Sequence, residues 1–224
     1  MTSLDFSQIV PAMPGLIEGL ALTLKLLAGG VIGGVVLGTF LALARLSSNR
    51  LMSAAALFYV NYFRSIPLLL VISWFYLVVP MLLSWITGSV TPVGAFTSCV
   101  VAFVMFEAAY FAEIVRAGIQ AIPKGQIGAA FALGMTYGQA MRYVILPQAF
   151  RKMLPLLLQQ SIILFQDTSL VYAVGLMDFL NTARSKGDIV GLPHEFLLFA
   201  AAVYFLISFT ASRAVKRLHS RWSV

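Results

Sequence analysis

AGIQAIPKGQIGAAFALGMTYGQAMRYVILP, residues 117–147, is a glycine-rich, polar island in a chain that is otherwise strongly apolar. Arg116, Lys124, Arg142, Arg151 and Lys152 mark its edges, and long apolar stretches lie on either side. Pro123 suits the first turn of a new helix, where a missing N–H costs nothing. Gly125, Gly128, Gly134 and Gly138 keep several faces free of side chains, so another backbone has room to approach. Pro147 is expected to stop the helix before the next apolar run. Composition alone leaves two readings of the island open, an ordinary cytoplasmic loop and a docking surface.

The surroundings of the island decide the fold class. Of the 224 residues, 60% are hydrophobic and 10% are charged, with a mean hydropathy of +0.93. Soluble domains carry about 25% charged residues, so the chain reads as an all-α integral membrane protein, a single transmembrane domain over 1–224. The formal charge of +7 is no nucleic-acid signature, because the basic residues cluster beside apolar segments. They act there as orientation signals and as anchors to an anionic lipid bilayer. A lone Cys99 rules out an internal disulfide and cannot by itself build a metal site. The first dozen residues contain Asp5 but no Lys or Arg, so no cleaved signal peptide is expected.

Five apolar segments are long enough for a hydrocarbon core that takes about 20 helical residues. They run over about 16–44, 54–83, 93–114, 154–176 and 196–214. Arg45 and Arg50 follow the first, the island's basic residues lie between the third and fourth, and Arg213, Lys216, Arg217 and Arg221 close the chain. The opposite loops hold Asp5 and Glu18, then no charge, then a mixed set from Asp178 to Glu195. This asymmetry puts the N-terminus outside and the C-terminus in the cytoplasm. In the first segment Gly30, Gly34 and Gly38 recur every four residues, a small-residue stripe for close helix packing. No strand precedes them, which argues against a phosphate loop.

Ionisable residues inside apolar segments are costly and default to functional candidates. Arg64 falls about ten residues into the second segment, where Pro67 disfavours helix at Ile66. Glu107 and Tyr110 share a helix face in the third segment. In the fourth, Gln160 stacks over Asp167, followed by Thr168 and Ser169. Arg64, Glu107 and Asp167 are thus expected at one depth. Two readings compete, a buried ion-pair triad that fixes packing and a pocket for a small zwitterion. In the second, Arg64 forks onto a carboxylate and Glu107 or Asp167 takes an ammonium. Ser65, Thr168 and Ser169 supply hydroxyls, and Tyr110 forms a wall. Glu113 and Arg116, at the inner end, read as a local ion pair.

Ala129-Ala130, Gly134 and Val144-Ile145-Leu146-Pro147 resemble the EAA loop of ABC importer permeases, although Gly128 stands where that loop has its glutamate. Residues 113–126, Phe63-Arg64-Ser65-Ile66-Pro67-Leu68, Glu107 to Glu113 and Gln166-Asp167-Thr168-Ser169-Leu170 resemble the polar amino-acid branch of that family. Within the branch the look is that of the glutamate/aspartate permease subunits of proteobacteria. The resemblance implies a type I ABC importer permease in the bacterial inner membrane, with the coupling loop at about 117–150. It implies a midplane substrate cavity drawing on Arg64, Ser65, Glu107, Tyr110, Gln166, Asp167, Thr168 and Ser169. It also implies ATPase docking through Lys124, Gly125, Ala129, Ala130, Gly134 and Met135. Implied partners are two ABC ATPase subunits, a second permease that is a homologue or a copy, and a periplasmic amino-acid-binding protein.

The chain has no G-x-x-x-x-G-K-[ST] loop, so it is expected to be no enzyme and to hold no cofactor, with ATP and Mg in the partner ATPase. The competing expectation is an ATPase-independent secondary transporter or channel that uses Glu107 and Asp167, which an internal repeat would favour. An intramembrane enzyme lacks candidates, since His194 and His219 lie near or beyond segment ends.

Overall fold

A computed structural model describes residues 4–89 and 93–222, with side chains up to Ser220, so the side chain of Arg221 lies outside the described residues. Helix α1, Ile9–Leu46, is followed by α2, Arg50–Arg64, which Asn49 caps by accepting from the Leu51 and Met52 N–H groups. The chain breaks at Ser65-Ile66-Pro67 and resumes as α3, Leu68–Thr87. Helix α4 is Ala95–Gln120, and α5, Lys124–Ala132, starts directly after Pro123. Helices α6, Tyr137–Val174, and α7, Phe179–Val190, meet at an angle of 52°, and α8, Pro193–Trp222, ends the described chain.

Helices α1, α3, α4 and α8 are each long and apolar enough to cross a membrane, and the bent pair α6–α7 meets the same measure of length and composition when its two helices are taken together. Each of the five expected segments has its counterpart here, with one correction. The second starts at Leu68 rather than near residue 54, because Ser65–Pro67 detaches α2 from it. Pro67 lacks an N–H and pushes Ile66 out of helical geometry, so Arg64 ends α2 instead of lying deep in a span.

Helix α4 is the buried axis, with Cys99, Ala102, Phe103, Ala108, Ala109, Phe111 and Ala112 wholly enclosed. The glycine stripe of α1 lies against it. A Cβ at Gly30 would stand 3.1 Å from Phe103 Cβ, and one at Gly38 would stand 2.8 Å from the Ala108 carbonyl oxygen. Only hydrogen at these positions lets the two backbones come so close. At the N-terminal end of α1 a second cluster packs Ile9 and Leu16 against Phe179, Ala183, Phe196 and Ala200. At the other end, Arg45 and Arg116 converge on Glu113, and Lys152 donates to the Ala121 carbonyl at 2.9 Å.

Pro147 does not end a helix, contrary to expectation. A wide five-residue turn, Met141–Ile145, precedes it, and α6 runs straight through. The same arrangement recurs in α3, where the wide turn Trp74–Val78 precedes Pro80. A proline ring clashes with the carbonyl four residues back. In both helices that carbonyl, of Tyr76 or Tyr143, lies inside the widened turn, which gives the ring its clearance.

Candidate functional site

Tyr110 is the centre of the polar cluster. It projects from α4 one turn beyond Glu107, within electrostatic range of Arg64, Glu107 and Asp167. The Arg64 guanidinium lies over its ring, 5.5 Å from the centroid. Glu107 is fully buried beneath the α1 stripe, where its Cβ would be 3.0 Å from a Cβ on Gly34. Both its oxygens accept from Gln160 Nε2, at 3.4 and 3.1 Å. Asp167 is half-buried where α6 tightens from α-helical to 3₁₀ geometry over Thr168–Val174. Among the described residues no hydrogen bond or ion pair reaches its carboxylate, which leaves it free to accept.

The three ionisable residues therefore share a neighbourhood but do not form an ion-pair triad, which removes that one of the two readings. Arg64 pairs instead with Glu113, Nη1 to Oε1 at 3.7 Å. The break after α2 turns its guanidinium toward that end of α4. Glu113 also receives Arg45 and Arg116, so the expected local Glu113–Arg116 pair is one side of a larger cluster.

The remaining candidates separate into two groups. Ser65 is exposed at the α2 break and donates to the Asn61 carbonyl at 2.7 Å. Thr168 is fully buried and donates to the Phe165 carbonyl at 2.6 Å. Gln166 turns the other way, donating to Ser208 Oγ on α8 at 3.1 Å. With Ser169, Tyr204, Phe205 and Ser208 it lines a separate notch of about 270 Å³. A groove of about 550 Å³ is walled by apolar residues such as Leu24, Leu158, Ile162 and Leu218, and contains none of Arg64, Glu107, Tyr110 or Asp167. The Arg64 side chain is 44% exposed. The cluster is thus an open face on one chain, and what it can do chemically is present a guanidinium over an aromatic ring with an unpaired carboxylate within electrostatic range.

The island folds into α5, a left-handed turn at Gly134 (φ 76°) and the start of α6. Thr136 and Gln139 close that start with a reciprocal cap, the Thr136 hydroxyl accepting from the Gln139 N–H and the Gln139 side chain accepting from the Thr136 N–H. Lys124, Gly125, Ala129 and Gly134 are exposed, Met135 is half-buried, and Ala130 is turned inward and adds nothing to the outer face. No atom lies within 4 Å of a Cβ built on Gly125, Gly128, Gly134 or Gly138, so their free faces stay open in this chain. Sequence reasoning missed Phe131, Leu133, Tyr137 and Tyr143, all strongly exposed on the same island. The signal was available, since large apolar side chains in a polar, glycine-rich segment have little core to enter. It also missed the reach of Arg45 and Arg64 to Glu113, which separations of 68 and 49 residues hide.

Residues 34–224 match the family described as binding-protein-dependent transport system inner membrane component. The chain is 52% identical over 223 residues to the glutamate/aspartate import permease protein GltK of Escherichia coli, covering 99% of both chains. It is 38% identical over 205 residues to the arginine transport system permease protein ArtQ of Bacillus subtilis, covering 92% of this chain and 91% of that one. Among solved structures, a crystal structure of an amino acid ABC transporter with histidines superposes with a TM-score of 0.88 at 35% identity, covering 98% of this chain and all of the other. The MetNI methionine ABC transporter, at 23% identity and a TM-score of 0.70, shares the fold.

Proposed function

The chain belongs to the binding-protein-dependent transport system inner membrane components, and from that membership we propose that it is the permease subunit of an ATP-driven importer of glutamate and aspartate. The observation that carries the substrate is the 52% identity to GltK along the whole of both chains. The geometry supports a carboxylate-bearing cargo. Arg64, partly exposed and stacked on Tyr110, offers a planar fork to a carboxylate, while Asp167 offers an unpaired oxygen pair to an ammonium.

The permease itself carries no ATP chemistry. Two ABC ATPase subunits, with their ATP and Mg, grip the island through Lys124, Gly125, Ala129 and the exposed Phe131, Leu133 and Tyr137. A second permease, a homologue or a copy, closes the open face around Tyr110, and a periplasmic binding protein delivers the amino acid. ATPase closure moves α5 and the start of α6 as a lever. The break at Ser65–Pro67 and the bend between α6 and α7 let the spans rock around the cluster.

Glutamate uptake by the reconstituted assembly tests the proposal. Arg64→Ala is expected to abolish uptake while the assembly stays intact by size-exclusion chromatography. Normal uptake by this variant removes Arg64 from the site, and uptake by the chain alone on an ion gradient removes the ATP-driven mechanism.

A further inference from the structure

Glu113 is surrounded by more positive charge than it can balance. Arg116 donates to its Oε2 from Nε at 3.1 Å and from Nη2 at 2.7 Å, and Arg45 donates to its Oε1. These two arginines are well covered, at 14% and 27% exposure, and belong to α1 and α4 themselves. Arg64 is the third. At 3.7 Å it is within ion-pair range but beyond hydrogen-bonding distance, and it is the most exposed of the three. Two cations thus hold Glu113 firmly and one approaches it loosely. The loose one is the guanidinium that lies over Tyr110.

Position along α4 adds a direction. Glu113 follows Tyr110 by three residues, on the same face and nearer the end of α4 that leads into the island. A carboxylate leaving Tyr110 toward that end passes the side chain that attracts the same guanidinium. We propose that Glu113 is a built-in rival of the cargo carboxylate for Arg64, which reclaims the guanidinium as the amino acid departs toward the island end. Glu113 is in this sense a positioning residue, acting on cargo only through Arg64. Arg45 and Arg116 hold it in place and temper its charge, so that it competes without locking Arg64 away. The inference rests on the reading of Arg64 as a carboxylate ligand.

The rivalry predicts opposite signs for two neighbouring substitutions, which a merely structural cluster does not. Glu113→Gln keeps the size and one acceptor oxygen, which serves Arg45 or Arg116 but not both, and removes the competing charge. In the reconstituted assembly with L-glutamate, its KM falls about fivefold and its turnover falls with it, the upper range for a half-exposed ion pair. Arg116→Gln frees Oε2, strengthens the rival and raises KM by about threefold. Glu113→Asp keeps the charge and stays within about twofold of the wild type in KM. If Glu113→Gln fails to assemble, Arg116→Gln decides alone, through a rise in KM with turnover preserved. Equal signs for Glu113→Gln and Arg116→Gln, an unmoved KM in both, or a large loss in Glu113→Asp overturns the proposal. The wild type separates this from the substrate reading. If it transports a different amino acid, the substrate class falls, and the same variants still decide the rivalry on that amino acid's α-carboxylate.

Discussion

Gly38→Ala and Gly29→Ala make the same chemical change on one helix and are expected to differ in the sign of their effect. Within a helix, alanine is more favourable than glycine by about 1 kcal/mol. At Gly29 the nearest atoms to the new Cβ belong to the Val100 side chain, with Cγ1 at 3.1 Å and Cγ2 at 3.5 Å. A half-buried valine side chain can yield a few tenths of an ångström, so most of the propensity gain survives. At Gly38 the new Cβ would stand 2.8 Å from the Ala108 carbonyl oxygen, 2.8 Å from Phe111 Cβ and 3.0 Å from the Ala112 nitrogen. Two of these are backbone atoms of α4, which no rotamer change can move. The helices must separate, and the loosening spreads to Gly34 and Gly30 along the stripe. Overpacking of this kind costs about 1–3 kcal/mol, which outweighs the gain. The propensity gain is common to both, so the two variants should differ by the overpacking cost, about 1–3 kcal/mol, or roughly 2–12 °C in melting temperature for a chain of this size. Thermal melts of the purified protein in one detergent, followed by near-UV circular dichroism, provide the comparison. A Gly38→Ala variant that melts at or above Gly29→Ala refutes the close α1–α4 approach.

Gln160→Leu leaves the buried Glu107 carboxylate without its only hydrogen-bond donor among the described residues. The expected cost is about 1–3 kcal/mol, read as a lowered melting temperature, and an unchanged melt contradicts the pairing. Gly134→Ala meets no atom within 4 Å, so its cost is the left-handed backbone alone. That strain of about 1–2 kcal/mol falls on the turn between α5 and α6, so uptake per ATP hydrolysed should drop. Full coupling in the alanine variant argues against a rigid lever.

Reading the sequence succeeded where one segment carried its own signal. Hydropathy found an apolar run in each of the four long apolar helices and in the bent α6–α7 pair, with the start of the second misplaced, because an apolar run of about 20 residues has few other uses. The four-residue glycine spacing announced a close helix contact because periodicity survives without knowing the partner. It failed where the outcome depended on a second segment. Arg64 was placed by counting residues along an apolar run, a method that assumes a continuous helix. Pro67 was noticed as a local disturbance, yet whether a proline bends, widens or severs a helix depends on what the neighbouring turns can do. At Pro80 and Pro147 a wide turn absorbs the ring, and at Pro67 the helix parts. Gln166 and Asp167 show the same limit. Adjacent in sequence, they face different neighbours, Gln166 bonding α8 and Asp167 lying within range of Glu107 and Tyr110.

The wide turns and the breaks divide the molecule into parts that can and cannot yield. Helices α1 and α4 pack closely along the glycine stripe, and at Gly38 the contact is with the α4 backbone itself, so they form the rigid element. The polar cluster draws Glu107 and Tyr110 from that element, but Arg64 and Asp167 stand at the ends of α2 and of the α-helical part of α6, beside interrupted backbone. In the proposed function, a cargo taken by Tyr110, Arg64 and Asp167 is gripped and released by small rotations at Ser65–Pro67 and Thr168–Val174. In that proposal alternating access turns on which carboxylate faces Arg64.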